Sequence, residues 1–260
     1  MFKRITIFLY GVVSYAVFFA TFLYAVGFIG NINVAGLVPR TLDGSQTMPF
    51  GMALLVDLGL LSLFALQHSV MARPAFKRWF TRVIPEAAER STYVLASSLA
   101  LILMFMFWQP LGGMVWEVTD ASARGAIWGA FAFGWLLVLV STFLINHFDL
   151  FGLRQIWLQL IGRPYTQLPF GTPVLYRYVR HPLYVGWFFA FWATPTMTLS
   201  HLVFAIMTTA YILVAIQFEE RDLIAHFGKT YTEYKARVPM LIPFMRRQNV
   251  DGAFTRRMRG

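Results

Sequence analysis

All 22 lysines and arginines of this chain lie outside its long apolar runs, and no other feature of the sequence constrains the fold as tightly. The runs are Ile5–Ile29, Gly51–Met71, Thr92–Trp108, Ala126–Asn146 and a broken pair, Leu183–Thr198 with His201–Phe218. Runs of about 20 apolar residues mark transmembrane helices. Only 13% of the residues are charged, against about 25% in soluble domains. The sequence therefore predicts an all-α integral membrane protein with four spanning helices and a helical hairpin, about five transmembrane elements in all.

The order of the basic segments sets the topology. Lys3 and Arg4 precede the first run, and the next segment, Asn31–Phe50, holds only Arg40. Ala72–Ser91 then holds Arg73, Lys77, Arg78, Arg82 and Arg90, whereas Gln109–Gly125 holds only Arg124. His147–Pro182 holds four basic residues and Glu219–Gly260 nine. This alternation places both termini and the basic segments in the cytoplasm. Both flanks of the broken pair are basic, so the pair enters and leaves on one side. Leu183–Thr198 rises only about 24 Å at 1.5 Å per residue, short of a core about 30 Å thick. Pro195, Thr196, Thr198 and Ser200 soften the bend between its arms. The net charge of +10 is thus topological, and nucleic acid is not an expected partner.

Other classes fall away on composition. No cysteine is present, which removes disulfides, thiolate metal sites and cysteine nucleophiles. The five histidines show no His-x₃-His spacing, so no metal site is expected. No signal-peptidase site follows the first run, which reads as a retained helix. A single membrane domain over 1–260 is expected, with a four-helix part over 1–146 and a second part over 147–260. Ala75–Pro85 interleaves Phe76, Trp79, Phe80 and Ile84 with Lys77, Arg78 and Arg82, the pattern of an amphipathic helix on anionic lipid. Ser91 or Thr92 is available to cap the third span.

Ionisable groups where apolar helices meet water are costly and point to function. The densest such stretch is Tyr176–Gly186, Tyr-Arg-Tyr-Val-Arg-His-Pro-Leu-Tyr-Val-Gly, answered by Glu219-Glu220 at the end of the hairpin. Pro182 suits the first turn of a helix. His68, Tyr93, His147, Asp149, His181 and Glu219 all fall at cytoplasmic ends of different helices, which predicts one pocket there. Residue types alone allow a cation-binding, transport or transferase site.

Arg180-His181-Pro182-Leu183-Tyr184-Val185-Gly186, then Glu219-Glu220, Leu223, Phe227-Gly228, Tyr231, Tyr234, Val238-Pro239 and Ile242-Pro243, resembles the isoprenylcysteine carboxyl methyltransferase superfamily over roughly Leu168–Phe244. Three further stretches, Gln67–Pro74, Glu89–Tyr93 and Asn146–Gln155, resemble the methanethiol S-methyltransferase branch, bacterial membrane enzymes that make dimethyl sulfide. A related branch comprises the NnrU-like proteins.

The resemblance implies an S-adenosyl-L-methionine pocket under the hairpin, in a bacterial cytoplasmic membrane. By position Tyr176, His181, Pro182, Leu183 and Tyr184 line the cofactor, Glu219 faces it, and the Leu168–Gly171 loop adds backbone contacts. Arg180, His181 and the helix start at Leu183 offer a cation and free N–H groups to the methionyl carboxylate. A sulfonium over Tyr176 or Tyr184 would gain cation–π attraction. On the substrate side the expected base for a methanethiol thiol is His147 oriented by Asp149, or His68, with Tyr93 positioning the thiol. The prenyl-cysteine enzymes carry an arginine one turn before the cofactor glutamate; Ala215 stands there in this chain, which disfavours a carboxylate substrate. Two alternatives stay open: a lipid or prenyl-cysteine methyltransferase of the same fold, and a non-catalytic transport or sensing protein of the NnrU type.

Overall fold

A computed structural model describes residues 1–33 and 35–243. It begins with α1 (Phe2–Gly30), followed by α2 (Phe50–Ala72), the short α3 (Pro74–Phe80) and α4 (Glu86–Phe107). A strand, β1 (Met114–Glu117), leads into α5 (Ala121–Ile145), then α6 (His147–Leu150) and α7 (Leu153–Leu160). A 3₁₀ turn over Val174–Arg177 precedes α8 (Pro182–Trp192), β2 (Thr196–Thr198), α9 (Leu199–Phe227) and α10 (Lys229–Arg237). Five of these, α1, α2, α4, α5 and α9, are long and apolar enough to cross a membrane. The all-α membrane architecture is thus the one expected, while four details differ.

The third span starts at Glu86 behind Pro85, so Ser91 and Thr92 are interior residues and neither caps it. Thr92 instead back-bonds Ala88 O at 2.8 Å. The hairpin's first arm ends at Trp192, about 16 Å long at 1.5 Å per residue, and reaches only about halfway through a bilayer core. Its bend is a strand rather than a loose turn. β2 pairs antiparallel with β1, Trp116 opposite Met197 and Glu117 opposite Thr196, so Gln109–Gly125, the segment poor in basic residues, holds a strand. Backbone groups near hydrocarbon must be paired, and this ribbon pairs those left free by the broken helix. The second arm, α9, runs nine residues past Phe218. Charge ends an apolar run but not a helix, and Leu223, Ile224 and Phe227 carry the helical register onward.

Packing places the short arm. Gly134 of α5 and Gly186 of α8 bring two backbones together: a Cβ on Gly134 would lie 2.7 Å from Ala190 N, and one on Gly186 2.8 Å from Gly134 O. Small residues permit such an approach between membrane helices. Phe28, Met104, Trp108, Phe131, Trp135, Phe191, Phe204 and Ile216 fill the core that joins α1, α4, α5, α8 and α9. At the β-ribbon end, buried Asp57 accepts from Gln109 N at 2.8 Å and Ser200 from Leu111 N at 2.6 Å, closing the loop after α4.

Candidate active site

The chain enters α8 through Arg180 and His181, whose backbone N–H groups donate to Pro239 O and Met240 O at 2.9 and 3.2 Å. The segment after α10 is therefore strapped across the mouth of α8. Under the strap sits Glu220, buried on α9. Its Oε1 accepts from Arg180 Nε at 2.7 Å and lies 3.1 Å from His181 Nε2, and its Oε2 is 2.6 Å from Lys235 Nζ. Arg180 Nη1 also donates to Lys235 O at 3.1 Å and Val238 O at 2.5 Å. A buried carboxylate survives only with such partners. Arg180, expected to offer its charge to a ligand carboxylate, instead spends it on Glu220 and on tethering α10.

Glu219 points the other way. Its Oε2 accepts from Tyr184 Oη at 2.8 Å and lies 3.9 Å from His181 Nδ1, with the carboxylate partly open. Pro182 is fully buried, Leu183 half-buried, and Leu168 half-buried in the loop after α7. In that loop Phe170 packs on Phe227, Tyr231 and Tyr234. Tyr176 O accepts from Tyr234 Oη at 2.6 Å, whereas Tyr176 Oη is buried without a partner among the described residues. Burial pushes the Tyr176 phenol up, and the nearby Glu219 carboxylate adds to it. A neutral donor with an unused proton beside an open carboxylate is what a polar ligand rich in hydroxyl and amino groups requires. The residues present fit S-adenosylmethionine.

On the neighbouring helices His68 and Tyr93 meet. Tyr93 Oη is 2.8 Å from His68 Nε2 and 3.1 Å from Nδ1, and Nδ1 is also 3.1 Å from Ser97 Oγ. Phe64 stacks on His68 with centroids 5.2 Å apart, and the Arg90 guanidinium lies 5.7 Å from the centre of the Tyr93 ring. The Arg73–Asp222 ion pair, 3.0 Å long, joins the end of α2 to α9 about one turn beyond Glu219, so the His68 pair and the Glu219 side share one end of the bundle.

His147 and Asp149 do not join them as a pair. Thr142 donates its only proton to Leu139 O at 2.7 Å, so its oxygen accepts from His147 Nδ1 at 2.8 Å. His147 Nε2 is left to accept from Tyr15 Oη at 2.7 Å. Phe143 stacks on the ring at 4.2 Å, and burial holds the imidazole below its ordinary pKa. Asp149 binds Arg154 at 2.9 Å and Tyr165 at 3.3 Å. The expected orientation of His147 by Asp149 is absent because each has nearer partners. The one pocket expected from six polar residues is thus two groups: His68, Tyr93, His181 and Glu219 on one side, and His147 with Asp149 packed between α1, α5 and α7.

Tyr211 and Ser69, 3.1 Å apart, escaped the sequence reading, although a tyrosine in the apolar middle of a span and a serine beside His68 were the available signals.

A protein named methanethiol S-methyltransferase from Crocosphaera subtropica is 57% identical over 243 residues, 94% of each chain. One of the same name from Mycobacterium tuberculosis is 51% identical, covering 94% of this chain and 99% of its own. This chain belongs to the methanethiol S-methyltransferase family. The broader isoprenylcysteine carboxyl methyltransferase (ICMT) family model matches residues 135–225, from α5 to late α9. A further methanethiol S-methyltransferase, from Pseudomonas deceptionensis, is 48% identical over 92% of this chain. No solved structure matches. Family membership makes the protein a methyltransferase and implies a methyl donor. Among the described residues no cluster of histidine and carboxylate side chains suits a metal ion.

Proposed function

We propose that the protein methylates the sulfur of methanethiol, giving dimethyl sulfide, at the cytoplasmic face of a bacterial inner membrane. S-adenosylmethionine, when bound, supplies a methyl group on a sulfonium. Glu219 would hold the hydroxyl or amino groups of that donor, Tyr176 would give its unused proton, and the Tyr184 ring would attract the cation. Arg180 and Glu220 would fix His181 and the strap rather than touch the ligand.

The observation that carries the substrate side is the Tyr93–His68–Ser97 chain. A thiol is mostly protonated at neutral pH, and its thiolate is the nucleophile. The Tyr93 oxygen can receive the S–H proton as its own proton passes to His68 Nε2, leaving an imidazolium that Ser97 supports through Nδ1. Arg90 beside the Tyr93 ring favours negative charge on that oxygen in passing. His147 has its lone pair occupied by Tyr15 and stands aside. The apolar turn Ile212–Ile216, with Ala215 one turn before Glu219, holds no cation for a carboxylate, so a small neutral thiol suits the site better than prenyl-cysteine.

The test is a radiolabel assay on detergent-solubilised protein with labelled S-adenosylmethionine and volatile thiols. Labelled dimethyl sulfide is expected, with turnover falling from methanethiol to longer thiols. Label in lipid or in farnesyl-cysteine instead would overturn the substrate assignment.

A further inference from the structure

Tyr211, which no catalytic step uses, stands between two features of the fold. On one side is a cleft of about 110 Å³ between α2 and α9, lined by Ser69, Val70, Arg73 and Phe218. Val70 and Phe218 are exposed on the apolar flank of their helices, and the Arg73–Asp222 ion pair at 3.0 Å bounds the cleft toward the cytoplasm. Arg73 also lies over the Phe218 ring, 5.3 Å from its centre. On the other side is His68, covered by Phe64.

The Tyr211 side chain reaches both. Its hydroxyl is 3.1 Å from Ser69 Oγ, a wall of the cleft, and its ring meets Phe64 edge-on at 6.2 Å. A tyrosine hydroxyl inside a span needs a partner, and Ser69 supplies it from the facing helix. The hydrogen bond therefore pins a bulky ring across the gap between α2 and α9 in one orientation. No other side chain joins those two helices at this level among the described hydrogen bonds.

We propose that Tyr211 is the residue that sets the length limit of the thiol, by standing between the His68–Tyr93 pair and the α2–α9 cleft. This rests on the thiol methylation argued above and names the residue behind its size limit. With the ring in place, an alkyl chain leaving the sulfur meets Tyr211 and Phe64 within a few atoms. With the ring removed, the apolar cleft becomes the continuation of the pocket. Each methylene that then finds apolar cover should gain about fourfold in kcat/KM.

The experiment compares kcat/KM for 1-butanethiol and methanethiol on the same preparation of Tyr211→Ala, Tyr211→Phe and wild type. The ratio cancels the fraction of active protein, so lost stability alone leaves it unmoved. Tyr211→Ala should raise the ratio by about tenfold or more, and Tyr211→Phe, which keeps the ring, should move it far less. Tyr211→Leu takes the place of the alanine variant if that one does not purify as a folded species, with an intermediate rise expected. An unchanged ratio in the smaller variants, with wild-type methanethiol turnover intact, overturns the gate while sparing the reaction. A wild type that methylates no thiol removes both.

Discussion

Glu219 and Glu220 are neighbours in sequence and opposites in environment: Glu219 accepts from Tyr184 with 44% of its side chain open, while Glu220 is 3% exposed and gripped by Arg180, His181 and Lys235. Successive helical residues point about 100° apart, so one turn of α9 serves two faces. The buried face holds the strap, and the open face is the one available to a ligand.

That division predicts different losses from the same chemical change. Glu219→Gln should weaken S-adenosylmethionine binding by about 10–100-fold, the worth of a hydrogen bond to a charged group, and leave the melting temperature in place. Glu220→Gln should leave Arg180 and Lys235 facing a neutral amide. Breaking a buried pair of this kind costs about 3–5 kcal/mol, so the melting temperature should drop sharply. Calorimetric titration and thermal unfolding of the two purified variants check both arms; a Glu219 variant that binds normally would remove it from the cofactor site.

Tyr93→Phe and His68→Ala should each lower turnover of methanethiol by about 10²–10⁴-fold, the usual worth of general base help, with cofactor affinity unchanged. The deficit should shrink as the pH is raised toward the thiol's own pKa, because the nucleophile then forms without a base. His147→Ala should show no such pH-dependent deficit. Initial rates between pH 6.5 and 9.5 separate the two histidines, and a deficit for His147→Ala that behaves like that of Tyr93→Phe would return the base to α6.

His147 should appear in stability instead. Its folded-state pKa is depressed by burial, so the unfolded chain takes up the proton more readily. The contribution is intact above an ordinary histidine pKa of about 6.5 and is lost as pH falls below it, by up to about 1.4 kcal/mol per pH unit. Thermal unfolding from pH 7.5 down to 5.5 should therefore fall more steeply for wild type than for His147→Gln. The glutamine variant should start lower at pH 7.5, since Tyr15 or Thr142 loses part of its hydrogen bonding.

Much of this was legible before any coordinates. The spans and their order follow from apolar runs and basic segments, because hydrocarbon leaves a chain few choices. Glu219, His181 and Tyr184 were recoverable from a spaced motif whose parts must meet. The partners of Glu220 were harder: Lys235 is one of nine basic residues after Phe218, and nothing local tells it from the other eight. The separate partners of His147 and Asp149 were hidden for the same reason. Asn146, His147 and Asp149 within one turn look like a site, but Thr142 and Tyr15 lie on other elements, and only packing shows that they occupy both imidazole nitrogens. The β-ribbon was invisible because Met114–Glu117 has exposed side chains throughout and serves only to pair the backbone of Thr196–Thr198.

The glycine in the motif has its own consequence. Gly186 follows His181 by little more than a turn of α8, and a Cβ there would stand 2.8 Å from Gly134 O, Val138 N and the Val138 side chain. Two of those neighbours are backbone, which cannot swing aside as a flexible side chain would. Gly186→Ala must therefore push α8 off α5, and overpacking of this kind costs about 1–3 kcal/mol. Because α8 carries His181 and Tyr184 at its first turn, the shift should reach the open Glu219 side as well. The expected result is a lowered melting temperature together with weaker cofactor binding, although residue 186 touches no ligand group. Gly134→Ala presses the same crossing from the other helix, against Ala190 N and Gly186 O, and should produce the same pair of effects. Combining the two should cost less than the sum of the single losses, since one displacement relieves both clashes. A double-mutant cycle on melting temperature and cofactor affinity checks this, and full additivity would mean that the two glycines act at separate places rather than at one backbone crossing.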